Sequence, residues 1–151
     1  MRLFVGAWPP GEVLDLLAGL SRPRGAGWTR RDQWHVTLRF YGEVDDAGAA
    51  ATAELAGVAA RFAARTVTLG PATRILGRDV LMVPVAGLDD IGAAFGDDRF
   101  TGHLTLARDA ARHLAGAPIA ARWEVTELHL IQSHLGNGPA RYETIATSRL
   151  R

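Results

Sequence analysis

The feature that most constrains this chain is a four-residue pattern that occurs twice, as His35-Val36-Thr37-Leu38 and as His103-Leu104-Thr105-Leu106. Each copy alternates polar and apolar residues, the period of a strand with one buried and one open face. The alternation predicts Val36, Leu38 and Phe40 in a core, with His35, Thr37 and Arg39 projecting together from the other face. Leu104 and Leu106 turn inward in the same way, against His103 and Thr105. With 5 His and 11 Thr in 151 residues, about 0.4 His-x-Thr triplets arise by chance, and aliphatic residues at both alternate positions cut this to about 0.02 for one copy. A pair of such strands therefore needs a reason. Two imidazoles, each with a hydroxyl two residues along, point to an acid–base pair with hydrogen-bond donors for an anion.

The segments around the two copies repeat as well. Arg2 to Trp8 reads as a strand ended by Pro9-Pro10, and a helix follows to Leu20 with Val13, Leu14, Leu16, Leu17 and Leu20 on its apolar stripe. After the first motif strand, Trp34 to Tyr41, Asp45 or Asp46 is placed to cap an Ala-rich helix reaching about Ala64. Short strands are predicted at Val67–Leu69, Thr73–Leu76 and Val80–Val85, then a brief helix from Leu88 to Phe95. The second motif strand, His103 to Arg108, leads into a short predicted helix, Asp109 to Leu114. Strands at Ile119–Trp123, Val125–Leu135 and Tyr142–Leu150 complete the chain, the last two joined through Gly136-Asn137-Gly138-Pro139. Strand, helix, motif strand, helix thus runs twice. That order predicts one α+β domain over residues 1–151, built of two similar lobes that each bury a sheet face under helices. A pseudo-twofold relation between the lobes would turn both motif strands toward one central groove.

Composition narrows the chemistry. Cysteine is absent, which removes disulfides, thiolate metal sites and a cysteine nucleophile. No run approaches the ~18 apolar residues of a membrane span, and the apolar start is too short for a signal peptide; the expectation is a cytoplasmic protein without a membrane partner. All 17 basic residues are Arg and the net charge is +1, so any attraction for an anion has to be local. The one basic–aromatic cluster is the loop Ser21 to Arg31, with Arg22, Arg24, Arg30, Arg31 and Trp28. It reads equally as a loop that contacts phosphate and base, or as a solvated loop anchored by its Trp.

Facing histidines fit in-line displacement at phosphorus, one neutral and taking a proton, the other charged and giving one. Thr37 and Thr105 would hold the phosphoryl oxygens. Arg39 shares the predicted face of His35, whereas Arg108 has the wrong parity relative to His103 unless the strand ends or bulges there. The reading calls for no metal and no cofactor: there is no His-Glu-x-x-His, and no carboxylate beside either motif on its face. Gly-x-Ser-x-Gly and phosphate-binding glycine loops are missing too. His113 is expected to be exposed, and His129 and His134 to be structural or solvated.

On these residues the chain resembles the two-histidine phosphoesterase superfamily, and within it the RNA 2′,3′-cyclic phosphodiesterases also called 2′-5′ RNA ligases. The likeness extends to Arg2-Leu3-Phe4-Val5 with Pro9-Pro10, to Trp28, to Gly42-Glu43-Val44 after the first motif, and to Ala107-Arg108, Ser133, Gly138, Tyr142 and Leu150. Gly102 stands where family members often have Pro, and the stretch from Leu88 to His103 is short. The resemblance implies two antiparallel sheets flanked by helices around a central groove. It implies metal-independent hydrolysis of RNA 2′,3′-cyclic phosphate ends to 2′-phosphate, with His35 as proton donor, His103 as proton acceptor and Thr37 and Thr105 on the phosphate. The partner would be an RNA end or a nucleotide with a cyclic phosphate, met by a monomer. Alternatives are a phosphodiesterase for a small cyclic nucleotide, a reversible 2′-5′ RNA ligase, or a nucleotide-binding module with little turnover.

Overall fold

The two motif segments form neighbouring strands. In a computed structural model that describes residues 1–151, β3 (Val36–Glu43) and β7 (His103–Arg108) are antiparallel and joined at Val36 opposite Leu104. These are equivalent positions of the two motifs, so the pseudo-twofold relation passes between them. On the β3 side lie β1 (Arg2–Ala7), β9 (Glu127–His134) and β10 (Arg141–Arg149), and on the β7 side lie β6 (Val80–Ala86), β4 (Arg65–Leu69) and β8 (Ala121–Val125). Two short strands, β2 (Gly27–Trp28) and β5 (Arg74–Leu76), attach to β7 and β6. Every pairing is antiparallel, and the sheet curls into a half-barrel. The expected two sheets are therefore joined through the motif strands into one continuous path.

Three helices complete this α+β fold: α1 (Gly11–Ala18), α2 (Ala49–Ala59) and α3 (Asp89–Ala94). The core side carries the predicted aliphatics, with Val36, Leu104, Leu55 and Leu128 each 0% exposed. On α1 the buried stripe is narrower than expected, since Val13 and Leu17 are buried but Leu16 faces solvent. The N-cap position is Gly48 in a left-handed conformation rather than Asp45 or Asp46, but both carboxylate oxygens of Asp46 accept backbone N–H groups there, from Gly48 at 3.0 Å and Ala50 at 3.0 Å. The helix ends at Ala59, short of Ala64, whose own N–H instead donates to Arg151 O at 2.9 Å.

The predicted helix Asp109–Leu114 is replaced by a single 3-10 turn, Arg112–Leu114. Asp109 takes a left-handed φ of 53°, and the Ala110 N–H donates to Asp79 O at 2.8 Å, which draws Ala110 into a small cluster with Leu81 and Ala107. Tertiary pairing thus overrides the alanine-rich local preference. The loop 21–31 also has regular structure, since β2 lies within it and a 3-10 turn covers Arg31–Gln33.

Both motif strands carry a β-bulge at the same place. Against β1, Val5 pairs with Arg39 but Gly6 with Thr37, leaving Leu38 as the extra residue. Against β6, Leu81 pairs with Ala107 but Met82 with Thr105, leaving Leu106 extra. A bulge reverses the alternation beyond it. Phe40, expected in the core, is therefore 54% exposed. Arg39 leaves the face of His35, and Arg108 joins the face of His103 and Thr105.

Candidate active site

The strand register brings His35, Thr37, His103, Thr105 and Arg108 to the wall of one cavity of about 600 Å³. Arg108 reaches it because of the bulge at Leu106. That bulge is held from outside: the backbone N–H and the hydroxyl of Thr29 both donate to Leu106 O, at 2.9 and 2.8 Å, and the Trp34 indole N–H donates to Thr29 Oγ1 at 3.0 Å. The loop before β3 is thus the brace of Arg108. Its arginines are exposed and mostly held by groups of the protein's own surface: Arg30 pairs with Asp32, Arg31 with Asp15, and Arg22 lies over the Trp34 ring. None of the four loop arginines lines the cavity, but Trp28 does. Its indole N–H donates to Pro23 O at 2.8 Å.

Arg39, predicted beside His35, is not in this cavity. Its guanidinium lies 3.7 Å from Glu54 and stacks over Tyr41, whose hydroxyl donates to the same Glu54 at 2.6 Å. The bulge at Leu38 is the physical cause. Phe40, the pseudo-symmetric counterpart of Arg108, takes the vacated place and lines the cavity with Arg2 stacked over its ring at 5.1 Å. His129 and His134 lie elsewhere, on β9, bonded to Thr147 and Glu143, and His113 is exposed.

The two imidazoles are oriented alike. Nδ1 of His35 meets Gln33 O at 2.6 Å, and Nδ1 of His103 meets Thr101 O at 3.0 Å. A carbonyl only accepts, so each Nδ1 carries the hydrogen, and each Nε2 is left for the cavity. In the neutral state the Thr37 hydroxyl donates to His35 Nε2 at 2.8 Å.

Their surroundings differ. The His35 ring is packed by Phe4, Trp8 and Tyr142, with centroids at 4.7, 5.8 and 5.3 Å. Room for it comes from Gly6: a Cβ there would sit 3.5 Å from His35 Cδ2 and 2.9 Å from Val36 O. Burial, reinforced by the nearby charges of His103 and Arg108, pushes the His35 pKa down to about 4, against the opposing hydrogen bond to Gln33. His35 is therefore neutral in the free protein near pH 7. Tyr142, also in the cavity wall, has its phenol pKa raised by burial. This aromatic shell is not legible in the sequence because its members come from β1, its following loop and β10, far apart in the chain. A retrievable signal was the phase of Arg2, Phe4 and Gly6 along β1. No three His, Cys, Asp or Glu side chains are grouped as a metal-ligand set.

Comparison with known proteins bears on the fold and on the first motif segment. A model of the family described as LigT like Phosphoesterase matches residues 5–75, which takes in the first motif and ends before the second. None of the curated proteins matches the chain significantly. Among solved structures, E. coli LigT complexed with 3′-AMP superposes with a TM-score of 0.84 at 28% identity, over 99% of this chain and 97% of that one. E. coli LigT complexed with NADP+ gives 0.81 at 27%, over 99% and 97%. The Thermus thermophilus protein TT0787 shares the fold, with 0.79 at 23% identity over 100% and 98%. Residues 5–75 thus resemble the LigT-like phosphoesterase family, and the whole chain is similar in fold to E. coli LigT.

Proposed function

We propose that the protein hydrolyses 2′,3′-cyclic phosphate ends of RNA to 2′-phosphate, using His35 and His103 as its acid–base pair. The observation that carries this reading is the convergence of both imidazoles on one cavity, each with Nδ1 tied to a backbone carbonyl and Nε2 left for proton transfer. Nucleotide occupancy of the fold supports it, since E. coli LigT has been solved with 3′-AMP and with phosphate.

In the proposed reaction His103 Nε2 takes a proton from water as the water oxygen bonds to phosphorus. The bond from phosphorus to O3′ breaks, and His35 Nε2 delivers its proton to O3′. Thr37, Thr105 and Arg108 meet the charge on the phosphoryl oxygens. His35 has to be protonated for this role, although it is neutral in the free protein. The negative phosphate supplies the missing stabilisation, so substrate binding itself charges the acid. The Thr37 hydroxyl then turns from Nε2 to the phosphate as Nε2 becomes a donor.

The test uses an oligonucleotide ending in 2′,3′-cyclic phosphate. His35→Ala and His103→Ala should each lower kcat by ~10²–10⁴, with circular dichroism unchanged. Turnover within about threefold of wild type in either folded variant would remove that histidine from its role.

A further inference from the structure

The cavity with the two histidines does not end at His103. A second cavity of about 410 Å³ shares Thr37, Phe40 and His103 with it, and continues between Arg39 on β3 and Arg99 in the loop after α3. Its size is that of a ligand cleft rather than a packing defect. The loop carrying Arg99 is built. Phe100 packs over Gly92, where a Cβ would collide with its ring, the Asp97 N–H donates to Gly92 O at 3.1 Å, and the Asp97 carboxylate accepts the Arg99 backbone N–H at 3.0 Å. The same loop supplies the Thr101 carbonyl that orients His103.

The charges are arranged for an anion. Arg99 is exposed and forms no ion pair with any carboxylate, and Arg39 holds Glu54 only at 3.7 Å. Asp97, the one acidic residue in the lining, is committed to the loop backbone. Phe40, which stands between the two cavities, offers an exposed ring. An exposed aromatic between guanidinium groups suits a nucleotide chain, whose bases stack and whose phosphates pair with Arg.

We infer that this second cavity holds the phosphodiester next to the reacting end of the RNA, with Arg99 as its main contact and Arg39 beside it. The inference rests on the function proposed above and makes the preferred substrate a polynucleotide end rather than a free cyclic mononucleotide.

The test compares three substrates: a nucleoside 2′,3′-cyclic monophosphate, a dinucleotide ending in 2′,3′-cyclic phosphate, and the same dinucleotide with an uncharged methylphosphonate linkage. Wild-type kcat/KM should be about tenfold higher for the dinucleotide than for the mononucleotide, the scale of one hydrogen-bonded charge contact. Arg99→Ala should remove most of that preference, Arg99→Lys should restore part of it, and mononucleotide turnover should stay within about twofold. The methylphosphonate should behave like the mononucleotide in the wild type. A preference that survives Arg99→Ala, or equal losses on all three substrates, would overturn the subsite while leaving the proposed reaction standing. Complete inertness of the wild type toward all three would overturn both.

Discussion

Phosphate binding should charge His35. With its pKa near 4, about 1% of free His35 carries a proton at pH 6. A monoanion about 4 Å from the imidazolium, at an effective dielectric of ~20, attracts it by about 4 kcal/mol, or about 3 pK units. The bound-state pKa is then about 7, and about nine in ten His35 rings are protonated at pH 6. The assay is a pH titration of the imidazole resonances of labelled protein, with and without saturating inorganic phosphate or a nucleoside 2′-phosphate. The free protein should show one histidine with an unusually low midpoint, identified by its loss in His35→Ala, and ligand should raise that midpoint by ~2–3 units. Calorimetry in buffers of different ionisation enthalpy should show uptake of close to one proton per ligand at about pH 6. A free-state midpoint near the ordinary ~6.5, or one that phosphate leaves in place, would show that ligand binding does not charge His35.

The same depressed pKa couples stability to acidity. Below the unfolded value of ~6.5 the unfolded chain takes up a proton that folded His35 refuses until about pH 4, so stability should fall as pH drops through this window, by about 3 kcal/mol in all. Denaturant unfolding at about pH 7 and about pH 4.5 reads this, and His35→Gln should remove that share of the slope. Gly6→Ala places a methyl group 2.9 Å from Val36 O and 3.5 Å from the His35 ring. It should therefore cost about 1–3 kcal/mol through overpacking and lower kcat by displacing the imidazole. Unchanged kcat in a destabilised Gly6→Ala protein would show that the ring's seat is not set by Gly6.

The motif strands were legible because alternation is a local property. Val36, Leu104 and Leu106 are buried as their parity requires, and His35, Thr37, His103 and Thr105 share the opposite face. The inference held only as far as the hydroxyl residues. Beyond them each strand bulges, and a bulge is decided by the neighbouring strand, β1 for Leu38 and β6 for Leu106. That is why Phe40 left the core for the cavity wall and Arg39 turned toward Glu54, and why Arg108 entered the cavity that simple parity denied it. The brace on the second bulge, Thr29 with Trp34, lies far away in the chain, Thr29 being 77 residues before Leu106. The inequality of the two histidines was hidden for the same reason: the aromatic packing around His35 joins Phe4, Trp8 and Tyr142 from opposite ends of the sequence. The helix expected at Asp109–Leu114 shows the limit of composition, since one backbone bond to Asp79 and a left-handed Asp109 outweigh the preference of Ala110 and Ala111.

The reaction itself is the most direct test of the paired histidines. An oligonucleotide ending in 2′,3′-cyclic phosphate, incubated with purified protein and chelator in ¹⁸O-enriched water, should yield a product with a 2′-phosphate, a free 3′-hydroxyl and one ¹⁸O on phosphorus. Both the mass of the product and the position of its phosphate are measurable on the same sample. A 3′-phosphate product would contradict the direction of bond cleavage, and an unreacted end in the presence of folded protein would contradict the central claim.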